Sequence, residues 1–77
     1  MYKPEYESTI NFGIEKVWFP CQSEQFTDEN GDFIHHFKNK EDAIRVAKEW
    51  KEEFGEKVRI VKYNHTKKVW KEIKVKL

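Results

Sequence analysis

The sequence predicts a small α+β protein: an antiparallel sheet of four to five strands with one helix packed on one face, in the order β-β-(β)-α-β-β. Three observations carry this reading. Six Ile, six Val and six Phe stand against a single Leu, a balance that suits a pleated, half-buried surface better than a helical bundle. One stretch alone, from about residue 40 to 54, repeats its apolar side chains on a helical period. Two polar turn segments, "ENGD" and "NHTK", each lie between runs of β-forming residues. With 77 residues, 1–77 form one domain, near the lower size at which a single core holds without staples.

Residues 1–8 read as a loose or edge-pairing start. From Ile10 the pattern alternates, with Ile10, Phe12 and Ile14 on one side and Asn11, Gly13 and Glu15 on the other, which predicts a half-buried strand. The alternation breaks at Val17, Trp18 and Phe19. Pro20 follows, and because proline lacks an N–H it predicts a bend at Pro20–Cys21. Asn30-Gly31 is the dipeptide favoured in two-residue type I′ hairpin turns. That register sets Glu29 against Asp32, Asp28 against Phe33 and Phe26 against His35. It puts Phe26, Phe33 and Phe37 on the core side, with Gln25, Thr27, Ile34 and His36 opposite.

The helix is expected from about Lys40 to Phe54, with Asn39 as N-cap and Asp42 completing an imperfect capping box. Gly55 fits the C′ position. Ala43, Val46, Ala47, Trp50 and Phe54 form one stripe with Ile44 at its margin, while Arg45, Lys48, Glu49 and Glu52 point away. Trp50 and Phe54 are expected to supply most of the buried area. In the closing hairpin, opposing Tyr63 to Lys68 pairs Val61 with Trp70, Arg59 with Glu72 and Val58 with Ile73. Val58, Ile60, Val69, Ile73 and Val75 then face the helix, and Arg59, Val61, Tyr63, Trp70 and Glu72 face the other way.

Charge and composition narrow the function. The net charge is +1, yet residues 56–77 hold eight basic and two acidic side chains, against seven and twelve in residues 1–55. Such a polar molecule presents two different faces to partners, although lysines on a sheet edge also serve to resist aggregation. The start, "MYKPEYESTINFG", has neither a basic n-region nor a continuous apolar run, so a signal peptide and a membrane span are not expected. A lone Cys21 cannot form an internal disulfide, and the expected setting is a reducing cytoplasm.

Catalytic and metal chemistry find little support. A nucleophilic cysteine needs a neighbouring base and a lowered pKa, whereas Cys21 follows a proline in a strand bend. Adjacent His35 and His36 point to opposite faces of a strand, and with His65 and Cys21 they lack zinc-site spacing. "DENGD" imitates half of a calcium loop, but its glycine comes two positions early and Asn39 stands where a glutamate belongs. The three glycines are scattered and form no phosphate loop. No enzyme activity and no cofactor are expected.

The sheet face left bare by a single helix is the more informative feature. Val61, Tyr63 and Trp70 cluster there with Arg59 and Lys68 alongside, an apolar patch rimmed by charge of the kind that binds proteins. Glu24, Asp28, Glu29 and Asp32 form a secondary acidic surface suited to a basic protein groove. Nucleic acid is the less favoured partner, since there are only two arginines and the net charge is near zero.

The stretch "NKEDAIRVAKEWKEEFGEKVRIVKY", residues 39–63, resembles small accessory proteins of bacteriophages, such as the short host RNA polymerase inhibitors of T7-like phages. In those an acidic-Ala-aliphatic helix ending in an aromatic runs into a Val-rich strand. The resemblance covers about a third of the chain and carries over no individual residue. It implies a class: small, cofactor-free cytoplasmic proteins that occupy a surface of a host transcription, nuclease or defence complex. The expected function is thus a binding protein that inhibits or modulates a host protein complex. The alternatives are a small nucleic-acid-binding module using the basic C-terminal hairpin, and a self-associating structural protein, the open face of its homodimer being buried.

Overall fold

The computed structural model describes residues 1–55 and 57–77. Its elements run β1 (Tyr2–Ile10), β2 (Glu15–Pro20), α1 (Lys40–Phe54), β3 (Val58–Asn64) and β4 (Val69–Ile73). The strands form one antiparallel sheet in the order β2-β1-β3-β4. One helix packs on it, and the α+β class expected from the sequence is the class observed.

The N-terminal segment is not a loose start. β1 is a central strand, pairing with β2 from Glu5–Pro20 to Ile10–Glu15 and with β3 from Tyr2–Lys62 to Tyr6–Val58. A proline inside a central strand needs explanation, because it cannot donate to the ladder. The Pro4 carbonyl accepts from the Cys21 N–H at 2.9 Å, so Pro4 directs its backbone groups to the side of β1 where β2 has just ended. The missing N–H therefore falls past the last β1–β2 pair and outside the ladder that joins β1 to β3.

The strand expected from Ile10 to Glu15 is instead a turn. Asn11, Phe12 and Gly13 have φ of 53°, 59° and 85°, and Gly13 and Ile14 donate back to Ile10 and Asn11. Asn and Gly accept this left-handed backbone readily, and Phe does not. Ile10, Phe12 and Ile14 are consequently exposed, Phe12 fully so at 106%. Their alternation mimicked a strand while their backbone turned the corner between β1 and β2.

The segment from Cys21 to Asn39 holds only isolated bridges, Thr27 with Phe33 and Tyr2 with Phe37. Gly31 has φ 84°, but Asn30 does not have positive φ, so the two-residue type I′ turn is not formed. Asp28 Oδ1 accepts from the N–H groups of both Asn30 and Asp32, and Asp28 N–H donates to the Asp32 carbonyl at 2.9 Å. This is a three-residue loop: a type I turn closed by a left-handed glycine. One extra loop residue shifts the register by one and swaps faces. Ile34 therefore packs against the core beside Phe26, and Phe33 is exposed. Phe37 is buried as expected, edge-on to Phe26 with ring centroids 5.0 Å apart.

The helix matches its expected bounds. Asn39 accepts from the Glu41 N–H through its side chain, and Gly55 ends the helix at φ 66° with its N–H on the Lys51 carbonyl. Ala43, Val46 and Ala47 are fully buried, and small residues let the helix approach the sheet closely. They meet Ile60, Cys21 and Phe37, with Tyr2, Tyr6 and Val58 around them. Trp50 is half-buried, stacked on Tyr6 at 4.3 Å, and its indole N–H donates to the Gln22 carbonyl at 2.7 Å. Phe54 is 57% exposed, so the area expected of it comes from Val46 and the two alanines instead.

The β3–β4 hairpin keeps its expected faces in a register two residues away. Tyr63 pairs with Trp70, Val61 with Glu72 and Ile60 with Ile73. Asn64 Oδ1 accepts from the N–H groups of Thr66 and Lys67, and Lys68 takes φ 56°. The loop is again four residues long but lies one position further on, at His65–Lys68, and this moves the pairing by two. A shift of two preserves the side-chain faces, since strand side chains alternate with period two. Val69 is on the helix side by parity but exposed, being beyond the helix's cover.

Candidate functional site

The sheet face opposite the helix carries Lys3, Glu5 and Glu7 from β1, Trp18 from β2, Arg59, Val61 and Tyr63 from β3, and Trp70 and Glu72 from β4, as their pairings require. Glu5 is its centre. Although only 6% exposed, its carboxylate is fully engaged. Arg59 donates to Oε1 from Nε at 2.9 Å and approaches it with a terminal nitrogen at 2.8 Å, while Lys3 Nζ is 3.3 Å from Oε2. A buried carboxylate is tolerated when paired and hydrogen-bonded in this way. Arg59 also reaches the exposed Glu72 at 3.5 Å.

Each cation is in turn covered by an indole. The Arg59 guanidinium lies 4.2 Å from the centroid of the Trp18 ring, and Lys3 Nζ lies 4.5 Å from that of Trp70. A ring face attracts a cation through its quadrupole. The middle of the face is thus a row running Trp18, Arg59, Glu5, Lys3, Trp70. Trp18 and Trp70 stand on the two outer strands, three strand spacings or about 14 Å apart across the sheet, and at different levels along it, Trp18 beside Glu7 and Trp70 beside Tyr63. Tyr63 meets Trp70 edge-on at 5.2 Å and His65 at 5.0 Å. His36 comes to within 5.1 Å of Trp70 from the loop before the helix. Its pKa is lowered from the ordinary 6.5, by burial first and then by Lys3, His35 and the N-terminal amine.

The structure brings Trp70, Tyr63, Val61 and Arg59 together on this face. Val61 is only 3% exposed, so it is the floor of the patch, with Lys3 and Glu72 directly beside it across the strands. Lys68 is exposed in the hairpin loop and joins none of the ion pairs among the described residues. Ile34 is absent from the face, having turned to the core. Four contributors escaped sequence reasoning: Lys3, Glu5, Trp18 and His36. The signal for the first two was the alternation of Tyr2, Pro4 and Tyr6 with Lys3, Glu5 and Glu7, which marks a strand.

The acidic residues Glu24, Asp28, Glu29 and Asp32 are all exposed. Asp28 spends one oxygen on its own turn. Cys21 is fully buried in the core, and its thiol is pushed up to about 12 by burial and then by the nearby Glu5 carboxylate. His35 accepts from the Gln22 side-chain amide at 2.9 Å, and His36 faces Trp70. Cys21 is therefore a packed side chain, as the bend in the chain suggested. No helix among the described residues is long and apolar enough to cross a membrane. The chain matches no protein-family model, no curated protein and no solved structure.

Proposed function

We propose that the protein is a small, non-enzymatic binding protein that attaches through its helix-free sheet face to a partner protein and so modulates a larger complex. Trp70 and Tyr63 are the anchors, Arg59 and Trp18 extend the contact, and Lys68 contributes from the rim. The observation that carries this reading is the neutral, aromatic character of the face. Arg59 and Lys3 are each held by Glu5 and capped by an indole, and so are not free to neutralise phosphates. Aromatic rings on a charge-balanced patch suit a protein surface better than a polyanion. The resemblance of residues 39–63 to phage accessory proteins supports a host transcription, nuclease or defence complex as the target, met in the cytoplasm.

Capture from the cells that express the protein tests this. Trp70→Ala is expected to weaken partner capture by about 2 kcal/mol or more while thermal unfolding stays cooperative. Unchanged capture with a large loss of melting temperature would assign Trp70 to fold stability alone. The nucleic-acid reading retains one favourable observation, the unneutralised lysines of the β3–β4 hairpin. It requires affinity for DNA or RNA that falls steeply with salt.

A further inference from the structure

β4 is an outer strand, and its free edge has a defined chemistry. The Tyr63 N–H donates to the Met1 carbonyl at 3.1 Å, so odd positions of β3 direct their backbone groups to β1 and even positions direct theirs to β4. Lys62 and Lys71 therefore form a hydrogen-bonded pair, as do Ile60 and Ile73. Trp70 and Glu72, lying between those pairs, must turn their N–H and C=O groups outward, away from the sheet. Among the described residues these are unpaired ladder positions, on a strand with no neighbour on that side.

The surroundings of that edge are basic. Lys62 and Lys71 stand directly opposite each other, a like-charge pairing that costs stability in a sheet. Lys67 and Lys68 follow in the hairpin loop, and Lys74 and Lys76 continue past the strand, exposed, while Val75 and Leu77 turn inward to the core. None of these six lysines is in an ion pair among the described residues. Lys62, Asn64, Lys71 and Ile73, which share the helix side by parity, line an open cavity of about 410 Å³ at this edge. On the other side stands the Trp70 ring.

We propose that β4 receives an extended, acidic segment of a partner protein as a fifth strand of the sheet. This rests on the proposed function and names the chemistry of the partner. The segment bonds through its main chain to Trp70 and Glu72, sets a carboxylate toward Lys71 and the cavity, and lays an apolar side chain beside Trp70. Strand addition of this kind draws affinity from the ladder and specificity from alternate side chains. The lysines that repel a second copy of β4 are the ones that complement an acidic strand. A nucleic acid would satisfy the lysines but has no backbone to match the outward N–H and C=O groups.

The test uses the full chain and three probes: a peptide alternating Asp or Glu with Val, the same peptide with a central proline, and a thymidine decamer. The alternating peptide is expected to bind and to slow hydrogen exchange at the Trp70 and Glu72 amides, with the proline peptide at least about tenfold weaker. Lys71→Glu is expected to weaken the peptide about tenfold as well. Glu72→Pro removes an outward N–H where an edge strand tolerates proline, and should abolish the exchange protection while Glu72→Ala retains it. Equal binding of the two peptides, binding of the decamer alone, or self-association without peptide binding would each overturn the fifth-strand assignment. If the peptide fails while Trp70→Ala still abolishes partner capture, the sheet-face function stands and only this inference falls.

Discussion

Glu5 shows how a single residue organises the face. A carboxylate taken almost wholly out of water is compensated there by Arg59 and Lys3, which hold its two oxygens. Glu5→Gln preserves the shape and removes the charge, leaving two cations with indoles and no counter-ion. Since Arg59 and Lys3 side chains are 27% and 19% exposed, water recovers part of the loss, and the cost expected in a denaturant melt is about 1–2 kcal/mol. An unchanged midpoint would mean the row contributes no stability. Cys21 gives a second prediction at this scale. Its thiol must ionise at about 12 when folded, against an ordinary 9.0, so the stability it lends is complete below 9 and is lost as pH rises toward 12. Native protein at pH 8 should therefore react with a thiol reagent only as fast as it unfolds; rapid labelling without unfolding would contradict the burial. For His36 the sign is reversed. Its lowered pKa means that the unfolded chain takes up the proton first, so its contribution is present above 6.5 and fades as pH falls below. A proton NMR titration should place its midpoint beneath that value.

At the scale of elements, the helix was legible from end to end and the two N-terminal strands were not. Asn39 and Gly55 carry local chemistry that no tertiary contact overrides: a side-chain cap and a left-handed backbone. Nothing lies within 4 Å of a Cβ built on Gly55, so Gly55→Ala tests backbone strain alone and should cost about 1 kcal/mol. The turn at Asn11–Ile14 was hidden because its apolar residues alternate as a strand's would, though Asn11 and Gly13 are the residues that accept positive φ. Phe12 is held at φ 59° and wholly exposed, so it gives the fold strain and no burial. Phe12→Asn should raise stability by about 0.5–1 kcal/mol, and a loss of that size would show that the ring is packed after all. The loop at Asp28–Asp32 misled for a different reason. Asn30-Gly31 favours a two-residue turn by its own preference, but the Asp28 carboxylate can hold two N–H groups only in the longer loop.

For the whole molecule, the radius of gyration of 12.8 Å exceeds the roughly 11.5 Å expected for a chain of this length. The β1–β2 hairpin accounts for the excess, since its pairing runs on to Ile10 and Glu15 after β3 has stopped at Val58. Half of the candidate site was readable from the last hairpin, because a register error of two leaves Arg59, Tyr63 and Trp70 on their proper face. The other half lies on β1, and a strand between two others cannot be placed until its partners are known. The proposed function requires that face to be open to solvent while the helix closes the reverse. Photo-induced nuclear polarisation reads it directly, because an indole must present its N–H to the dye. Trp18 and Trp70 are predicted to polarise strongly, and Trp50, whose N–H is bound to the Gln22 carbonyl, to stay dark. Polarisation of Trp50 with Trp18 and Trp70 silent would contradict the account.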